Sequence, residues 1–409
     1  MKNNLFFLCA TLLIAACGKD IIPSRDKSLE GLTVELPKDL GGSYSKLFVL
    51  NEGGMGSNNA TLDFLRLKDG TYVTSAFRKM NPGIAAGLGD VGNDMAVIGN
   101  ELWIVVNNSG IVEVISATDE TEIAAIRVPT PRSIAFDNQY AYITSWAGAH
   151  ADGSYDADGN YTITDSSNPK GQVYRIDLKT KKLNGSVEVG YQPEGIACYD
   201  GRLYVANSGG ISSQLPPDYS YDNTVSIIDA TLFKVTQSIE VAPNLKSVYS
   251  DGKGAIYVTT FGNYWDVHTG LYVFFASHPS SVTLVGTGTA IKPESLHVSC
   301  SCMSDGTVYC IGTEDEFNWS VAHTYSAWSC RIDDYESGKY TVSLYPQTLQ
   351  GTPYGMEVLS GTTGHYLILG DAGDYFNPGT VSCYALDFND GEWYWSVTAG
   401  VCPGHFALW

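Results

Sequence analysis

The chain has 409 residues and a formal net charge of −20, with 24 Lys and Arg against 44 Asp and Glu. This length allows either two domains or one repeat architecture. The acidic balance argues against nucleic-acid partners and against docking on anionic lipid by charge. With 43 glycines, 26 tyrosines and few charged residues, the composition favours strands and tight turns over helices.

The N-terminal residues predict an export signal. Leu5–Leu13 are apolar but form too short a run to span a bilayer. Ile14-Ala-Ala-Cys17 follows and resembles the lipobox of bacterial lipoproteins. We therefore expect residues 1–16 to be a signal peptide, Cys17 to be lipidated and residues 17–45 to form a flexible tether.

A short apolar triplet with an aromatic residue at its centre recurs seven times, about every 50 residues, a period typical of repeat architectures. The seven triplets are centred on Phe48, Trp103, Tyr142, Tyr204, Tyr257, Tyr309 and Tyr366. Several follow an Asp-Gly pair, as in Asp200-Gly201, which predicts the second strand of a hairpin. We expect the rings to pack between neighbouring units.

Two further alternating strands follow each triplet, and then a Pro-containing corner leads into a strand of small residues. In the first unit the third strand is predicted at Tyr72–Phe77, and corner strands are predicted at Gly195–Cys198 and Ser295–Val298, among others. Four strands per unit and seven units predict a β-propeller. A two-domain β-sandwich protein would show neither seven copies nor the chain ends described next.

The two ends of the chain complement each other. It begins on a second strand at Leu47–Leu50 and ends on a first strand at His405–Leu408. The last strand is therefore expected to complete the N-terminal blade and leave no free edge. The predicted fold is all-β, a seven-bladed β-propeller with four strands per blade over residues 46–409.

Candidate ligand contacts lie on the face that carries the corners and the long loops between second and third strands, because binding sites favour irregular loops on a rigid scaffold. The second unit has only a short loop there, starting at Asn107. Residues at the ends of second strands or in the loops are Asn51, Glu52, Asn107, Trp146, Asn207, Phe261, Trp265, Trp319 and Asp371. Corner residues expected to ring the axis are Arg132, Glu194, Lys246, Glu294 and Tyr354, with Asn93 and Gly404.

The chemistry of this set favours binding. The corner residues are chemically mixed, which suits a ligand better than a metal ring. Aromatic and amide side chains with few charges suit a large, partly apolar organic ligand or a sugar. The alternative is that the aromatic residues only pack the loops against one another.

Three other features are less informative. Asp156 and Asp158 begin like a calcium loop, but the bidentate Glu is missing and a hairpin turn is favoured. Neither Gly-x-Ser-x-Gly, His-Glu-x-x-His nor a P-loop occurs, so we expect no catalysis and no cofactor. The cysteines are expected to be small buried residues or to form one cross-strand disulfide, with zinc less favoured. Those whose pairing stays open are Cys300, Cys302, Cys310, Cys330, Cys383 and Cys402.

Together with Cys17, the stretches Leu47–Gly53, Asn59–Phe64 and Asp90–Met95 resemble YncE-like propeller lipoproteins of Bacteroidetes. That family includes the BtuG proteins, which bind cobalamin at the cell surface and pass it to the TonB-dependent outer-membrane transporter BtuB. The resemblance implies a lipid-anchored, surface-exposed outer-membrane protein. It further implies non-catalytic capture of cobalamin or another corrinoid and handover to a BtuB-like partner.

Three alternatives remain open at this point. The propeller is either a binder of another ligand such as a glycan, a scaffold for a protein partner, or a lyase or glycosidase. An enzyme should bring paired carboxylates and a His or Tyr together near the axis, whereas a scaffold should present a broad apolar patch.

Overall fold

A computed structural model describes residues 31–147, 153–155, 161–163, 170–210, 220–314, 316–318, 322–387 and 393–409. These residues form seven antiparallel four-stranded sheets, the blades of a β-propeller. The predicted fold class is therefore confirmed. Within the described residues, no helix has the length and apolar character needed to cross a membrane.

Blades 1 to 4 are built from strands in chain order, and the inner strand of blade 1 is the last strand of the chain, given below. Blade 1 contains β2 (Lys46–Asn51), β3 (Thr61–Arg66) and β4 (Thr71–Val73), with β1 (Leu32–Thr33) added at its outer edge. Blade 2 consists of β5 (Gly92–Ile98), β6 (Glu101–Val106), β7 (Ile111–Ser116) and β8 (Glu122–Arg127). Blade 3 consists of β9 (Pro131–Phe136), β10 (Tyr140–Ser145), β13 (Gln172–Asp177) and β14 (Lys182–Glu188), while β11 (Gly153–Tyr155) and β12 (Tyr161–Ile163) form a separate hairpin. Blade 4 consists of β15 (Pro193–Tyr199), β16 (Arg202–Asn207), β17 (Thr224–Asp229) and β18 (Lys234–Glu240).

The remaining strands complete the ring. Blade 5 consists of β19 (Leu245–Ser250), β20 (Ala255–Thr260), β21 (Gly270–Phe275) and β22 (His278–Leu284). Blade 6 consists of β23 (Cys300–Ser304), β24 (Thr307–Gly312), β25 (Tyr325–Asp334) and β26 (Lys339–Leu349). Blade 7 consists of β27 (Pro353–Gly361), β28 (Gly364–Asp371), β29 (Thr380–Ala385) and β30 (Trp393–Thr398). The last strand, β31 (Pro403–Leu408), pairs with β2 in blade 1.

The triplet aromatics are core residues, as predicted. Trp103, Tyr142, Tyr204 and Tyr257 are fully buried. Tyr204, on blade 4, packs in one cluster with Ile256 and Phe274 of blade 5, so the rings fill the space between blades. Burying a side chain of this size stabilises the fold by about 1.5–3 kcal/mol. The repeat signal in the sequence is thus a packing signal.

The ring closes through β31 and through the residues at both chain ends. Leu47 pairs with Leu408, and the Trp409 carbonyl accepts a hydrogen bond from the Ser45 amide at 2.6 Å. Lys46 points the other way, towards blade 2. Its ammonium donates to the Glu120 carboxylate at 2.5 Å. Closure therefore joins the last blade, the first blade and the second.

Two predicted strands in the chain differ from the structure. In blade 1 the strand predicted at Tyr72–Phe77 is only the three-residue β4, because the chain turns at Ser75 into a short helix, α1 (Ala76–Met80), that buries Phe77. The strand predicted at Ser295–Val298 is wrong. Pro293–Ser295 form a 3-10 turn, and the inner strand starts only at Cys300.

Part of the predicted tether is structured. Leu32 pairs with Tyr72 of β4, and Leu40 is buried in the cluster between blades 1 and 7. The Thr362 hydroxyl of blade 7 donates to the Asp39 carboxylate at 2.6 Å. Residues 32–40 therefore pack on the propeller ahead of residue 46. Residues 1–16 and Cys17 lie outside the described residues, as do Asp156 and Asp158.

The seven cysteines after Cys17 are all described, and each is a free thiol without a disulfide. All but Cys198 are buried. Burial raises the pKa of Cys300 and of Cys330 to about 12, which keeps both as neutral thiols. They act as small apolar residues of the core.

Candidate functional site

A cavity of about 930 Å³ lies on the propeller axis, at the face predicted from the loops. Its position follows from the topology, because first strands begin and second strands end at the same face. Pro193 opposite Asn207 and Pro403 opposite Asn51 illustrate this pairing. Corner residues that line it are Asn93, Arg132, Glu194, Lys246, Ser299, Tyr354 and Gly404.

Arg132 and Glu194 form a buried ion pair in the cavity wall. Nε and Nη2 of Arg132 donate to one Glu194 oxygen at 3.0 and 2.9 Å. The other oxygen accepts the Trp146 indole N–H at 3.0 Å, and the guanidinium lies 4.4 Å above the Trp146 ring. Burial raises the pKa of Glu194, while Arg132 opposes that rise. This network fixes the one arginine at the cavity wall in a single orientation.

A second carboxyl group, Glu52, meets the Tyr354 hydroxyl, which donates to it. Burial raises the pKa of Glu52 to about 7, against the opposing charges of Arg132 and Lys246. Lys246 donates to the Ser299 carbonyl at 2.9 Å and lies 4.9 Å from the Phe261 ring centroid. Two cations and two acids thus share this part of the cavity.

Three titratable groups from the inner strands also line the cavity. Burial raises the pKa of Asp94 to about 6 and that of Glu357 to about 8. Burial, with the nearby Lys246 and Arg132, lowers the pKa of His405 to about 3. Near neutral pH the inner strands therefore present a neutral imidazole at His405, a mostly protonated Glu357 and a mostly ionised Asp94.

Aromatic rings also border the cavity. Phe261 stacks on Tyr264 with ring centroids 6.5 Å apart, and Tyr264 contacts Phe317 at 6.2 Å. Tyr354 packs edge-on against Tyr375 at 5.8 Å. All five line the cavity, as does Tyr325. These six residues are called the aromatic collar below.

Beside the collar, two imidazoles converge on one carboxylate. Nδ1 of His268 lies 2.7 Å from Oε1 of Glu316, and Nδ1 of His297 lies 3.4 Å from the same oxygen. Oε2 accepts the Thr269 hydroxyl. Glu316 and Thr269 line the cavity.

Of the fourteen ligand residues predicted from the sequence, six line the cavity. They are Glu52, Arg132, Glu194, Lys246, Phe261 and Tyr354. Trp146 lies behind them, with its indole bound to Glu194. Trp319 is outside the described residues.

Four others are hydrogen-bonded to neighbouring protein groups instead. Asn51 and Asn207 are fully buried, and their amide groups donate to Thr61 and Thr224 respectively. Asn107 donates to the Pro131 carbonyl at 2.9 Å, and Asp371 accepts from the Thr352 and Gly373 amides. A short polar side chain at a strand end satisfies loop backbone groups that the ladder leaves unpaired.

Two predicted contacts point to solvent. Trp265 is 53% exposed and does not line the cavity. Glu294 lies in the 3-10 turn, close only to Lys292 at 3.6 Å, with a side chain 64% exposed. Its predicted place on the ring is taken by Ser299, because the inner strand of blade 6 begins later than its proline suggested.

Several cavity residues were not predicted from the sequence. Asp94, Ser247 and Cys300 occupy matching positions on their inner strands, one residue beyond the corner residues. These matching positions could have been found in the sequence if the first residue of each inner strand had been known. Glu316 carried no such signal, because it lies in one of the loops between second and third strands, whose lengths and sequences differ from unit to unit.

Comparisons with known proteins support the fold alone. No protein-family model and no curated relative matches the chain. Among solved structures, Kuenenia stuttgartiensis hydrazine synthase is similar with a TM-score of 0.54 and 15% identity, over 77% of this chain and 89% of that one. A quinoprotein alcohol dehydrogenase-like protein from Bacteroides thetaiotaomicron has a TM-score of 0.54 and 12% identity, over 89% of this chain and 78% of that one.

Proposed function

We propose that this protein captures a corrinoid, cobalamin or cobinamide, in the axial cavity without changing it chemically. The observation that carries the proposal is one cavity of about 930 Å³ bordered by the aromatic collar. That volume is near the upper end of the range for organic-ligand sites, about 300–1,000 Å³. It suits a bulky ligand better than a single sugar ring.

The polar groups of the cavity fit an amide-rich ligand. Ser247 and Thr313 line it and offer hydroxyl groups that donate or accept, while the Ser133 hydroxyl donates to Asp94 and keeps its capacity to accept. Few charges there are free, because Arg132 is paired with Glu194. A macrocycle that carries neutral amide groups at its edge would find hydrogen-bond partners there without breaking many ion pairs.

As part of this proposal, the captured corrinoid passes to a TonB-dependent outer-membrane transporter. Exposed aromatic residues on the cavity face support a contact of this kind, because such residues are enriched at interfaces. Phe376 is 86% exposed and Trp265 is 53% exposed, each on a loop between second and third strands. The lipid anchor at Cys17 and the outer-membrane location belong to the same proposal.

Titration calorimetry and absorbance spectra with cyanocobalamin and cobinamide test the capture step. We expect tight one-to-one binding. Phe261→Ala and Tyr325→Ala should each weaken it by about 30-fold, as for a central aromatic contact worth about 2 kcal/mol. Trp393→Ala, on an outer strand and 59% exposed, is the matched control and should bind normally. The absence of both heat and a spectral shift at micromolar protein would refute corrinoid capture.

One observation favours a second candidate, a lyase or glycosidase. Glu52 is in contact with the Tyr354 hydroxyl, Glu194 and His405 line the same cavity, and the pKa of Glu52 is raised to about 7 by burial. Carboxyl and tyrosine groups in such surroundings transfer protons in enzymes. Glycan cleavage that Glu52→Gln abolishes, with glycan binding retained, would select this candidate. Recovery of unchanged ligand would favour capture.

A further inference from the structure

Three potential metal ligands from three separate loops meet between blades 5 and 6. His268 precedes β21, His297 precedes β23, and Glu316 follows β24. One ligand atom from each lies within 4.8 Å of the other two, a grouping that stands alone in the described part of the chain. Their separation in sequence means that the packing of blade 5 against blade 6 brings them together.

The surrounding residues hold these groups in place. The Trp328 indole donates to the His297 carbonyl at 2.9 Å. Gly312 packs against the same carbonyl so closely that a Cβ would lie 2.1 Å from its oxygen. Thr269 donates its hydroxyl to Glu316 and accepts the Val298 amide at 2.8 Å. Supporting contacts of this kind orient the ligands in metal sites.

Hydrogen bonds alone leave the cluster incomplete. His297 is 6% exposed, yet its Nδ1 makes no hydrogen bond and lies 3.4 Å from Oε1 of Glu316. That oxygen is already engaged by His268 Nδ1 at 2.7 Å and by the Thr269 amide at 3.1 Å. A buried ring nitrogen that makes no hydrogen bond is costly, even beside a carboxylate whose oxygen is already engaged. A cation between the three side chains would supply that partner.

We propose that His268, His297 and Glu316 bind a divalent transition-metal ion of the Zn²⁺ class. Imidazole nitrogens suit Zn²⁺ and Co²⁺, and two His with one Glu is a known three-ligand set that leaves a further position open. Because Glu316 and Thr269 line the axial cavity, that open position lies at the cavity wall. It is available to water or to a donor atom of a bound ligand.

The test uses the whole protein, purified without a polyhistidine tag and without any organic ligand. Failure of the corrinoid experiment and failure of this one are therefore independent. Zn²⁺ binding is measured by calorimetry, and Co²⁺ binding by its visible absorption bands. We expect one ion per chain with nitrogen and oxygen coordination.

The variants separate a metal site from a hydrogen-bonded cluster. His268→Ala should abolish binding, and because His268 is 53% exposed the variant should still fold. Thr269→Val should weaken binding by about tenfold, as expected for a supporting contact. His365→Ala is the matched control, since His365 lies 3.2 Å from Asp387 and is 44% exposed. It should bind normally.

Two outcomes would overturn the proposal. One is the absence of heat and of Co²⁺ bands with the unaltered protein, which would leave a hydrogen-bonded cluster only. The other is binding of equal affinity in His268→Ala, which would place the ion elsewhere, for example at a thiol.

Discussion

Replacing Glu194 by Leu tests whether the Arg132 network holds the cavity wall together. The substitution keeps the approximate side-chain volume but removes both carboxylate oxygens. Arg132 then loses two hydrogen bonds and its counter-charge, and the Trp146 indole loses its acceptor. The side chains of Arg132 and Glu194 are only 11% and 9% exposed, so water replaces these partners poorly.

Breaking one side of a buried ion pair costs about 3–5 kcal/mol. Arg132 borders an open cavity and keeps its contact with the Trp146 ring, so we expect the lower end, about 3 kcal/mol of unfolding free energy. The double variant Arg132→Met with Glu194→Leu should be more stable than Glu194→Leu alone, because the uncompensated charge is removed. Urea denaturation followed by circular dichroism measures both changes.

The control uses an exposed pair. Lys170 and Glu188 lie 3.9 Å apart, with side chains 48% and 63% exposed. Glu188→Leu should therefore change stability by no more than about 0.5 kcal/mol. If Glu194→Leu behaved like this control, or if the double variant lost as much as the two single variants summed, the network would not be what holds the wall.

Three further outcomes are expected. Between pH 6.5 and 8 the carboxyl groups of the unfolded chain are ionised, whereas the folded-state pKa of Glu357 is about 8. The free energy of unfolding should therefore fall as the pH rises, and Glu357→Gln should reduce that fall in thermal denaturation. An unchanged slope of stability against pH in this variant would contradict the assignment. Trp103→Ala should cost about 3–5 kcal/mol in denaturant unfolding, because Trp103 is fully buried between blades 2 and 3, whereas Trp393→Ala should be nearly neutral. Deleting residues 403–409 should abolish cooperative unfolding and expose dye-binding apolar surface, and a sharp unfolding transition in the truncated chain would argue against closure by β31.

The propeller could be predicted because its signals are local and repeated. Asp200-Gly201 and Asp305-Gly306 form the expected turns, with positive φ at all four residues. The corner prolines then located Arg132 and Tyr354 correctly at the cavity. Each of these predictions required only residues that are adjacent in sequence and the number of repeats, seven.

The roles of other residues could not be predicted, because they depend on local departures from the repeat or on contacts with other strands and blades. Pro293 resembles Pro193 in sequence, but it starts a 3-10 turn, and the inner strand follows seven residues later at Cys300. The amide of Asn207 pairs with backbone and hydroxyl groups of β17 and so is unavailable to a ligand. His268 and Glu316 are 48 positions apart and meet only when two blades pack.

Closure by the last strand has a consequence for how the cavity comes into existence. Gly404, His405 and Phe406 belong to β31 and also line the cavity. Strand β31 therefore supplies both the seam of the ring and part of the cavity wall. Loss of this one strand would open the ring and remove that wall together, so the cavity exists only where the ring is closed.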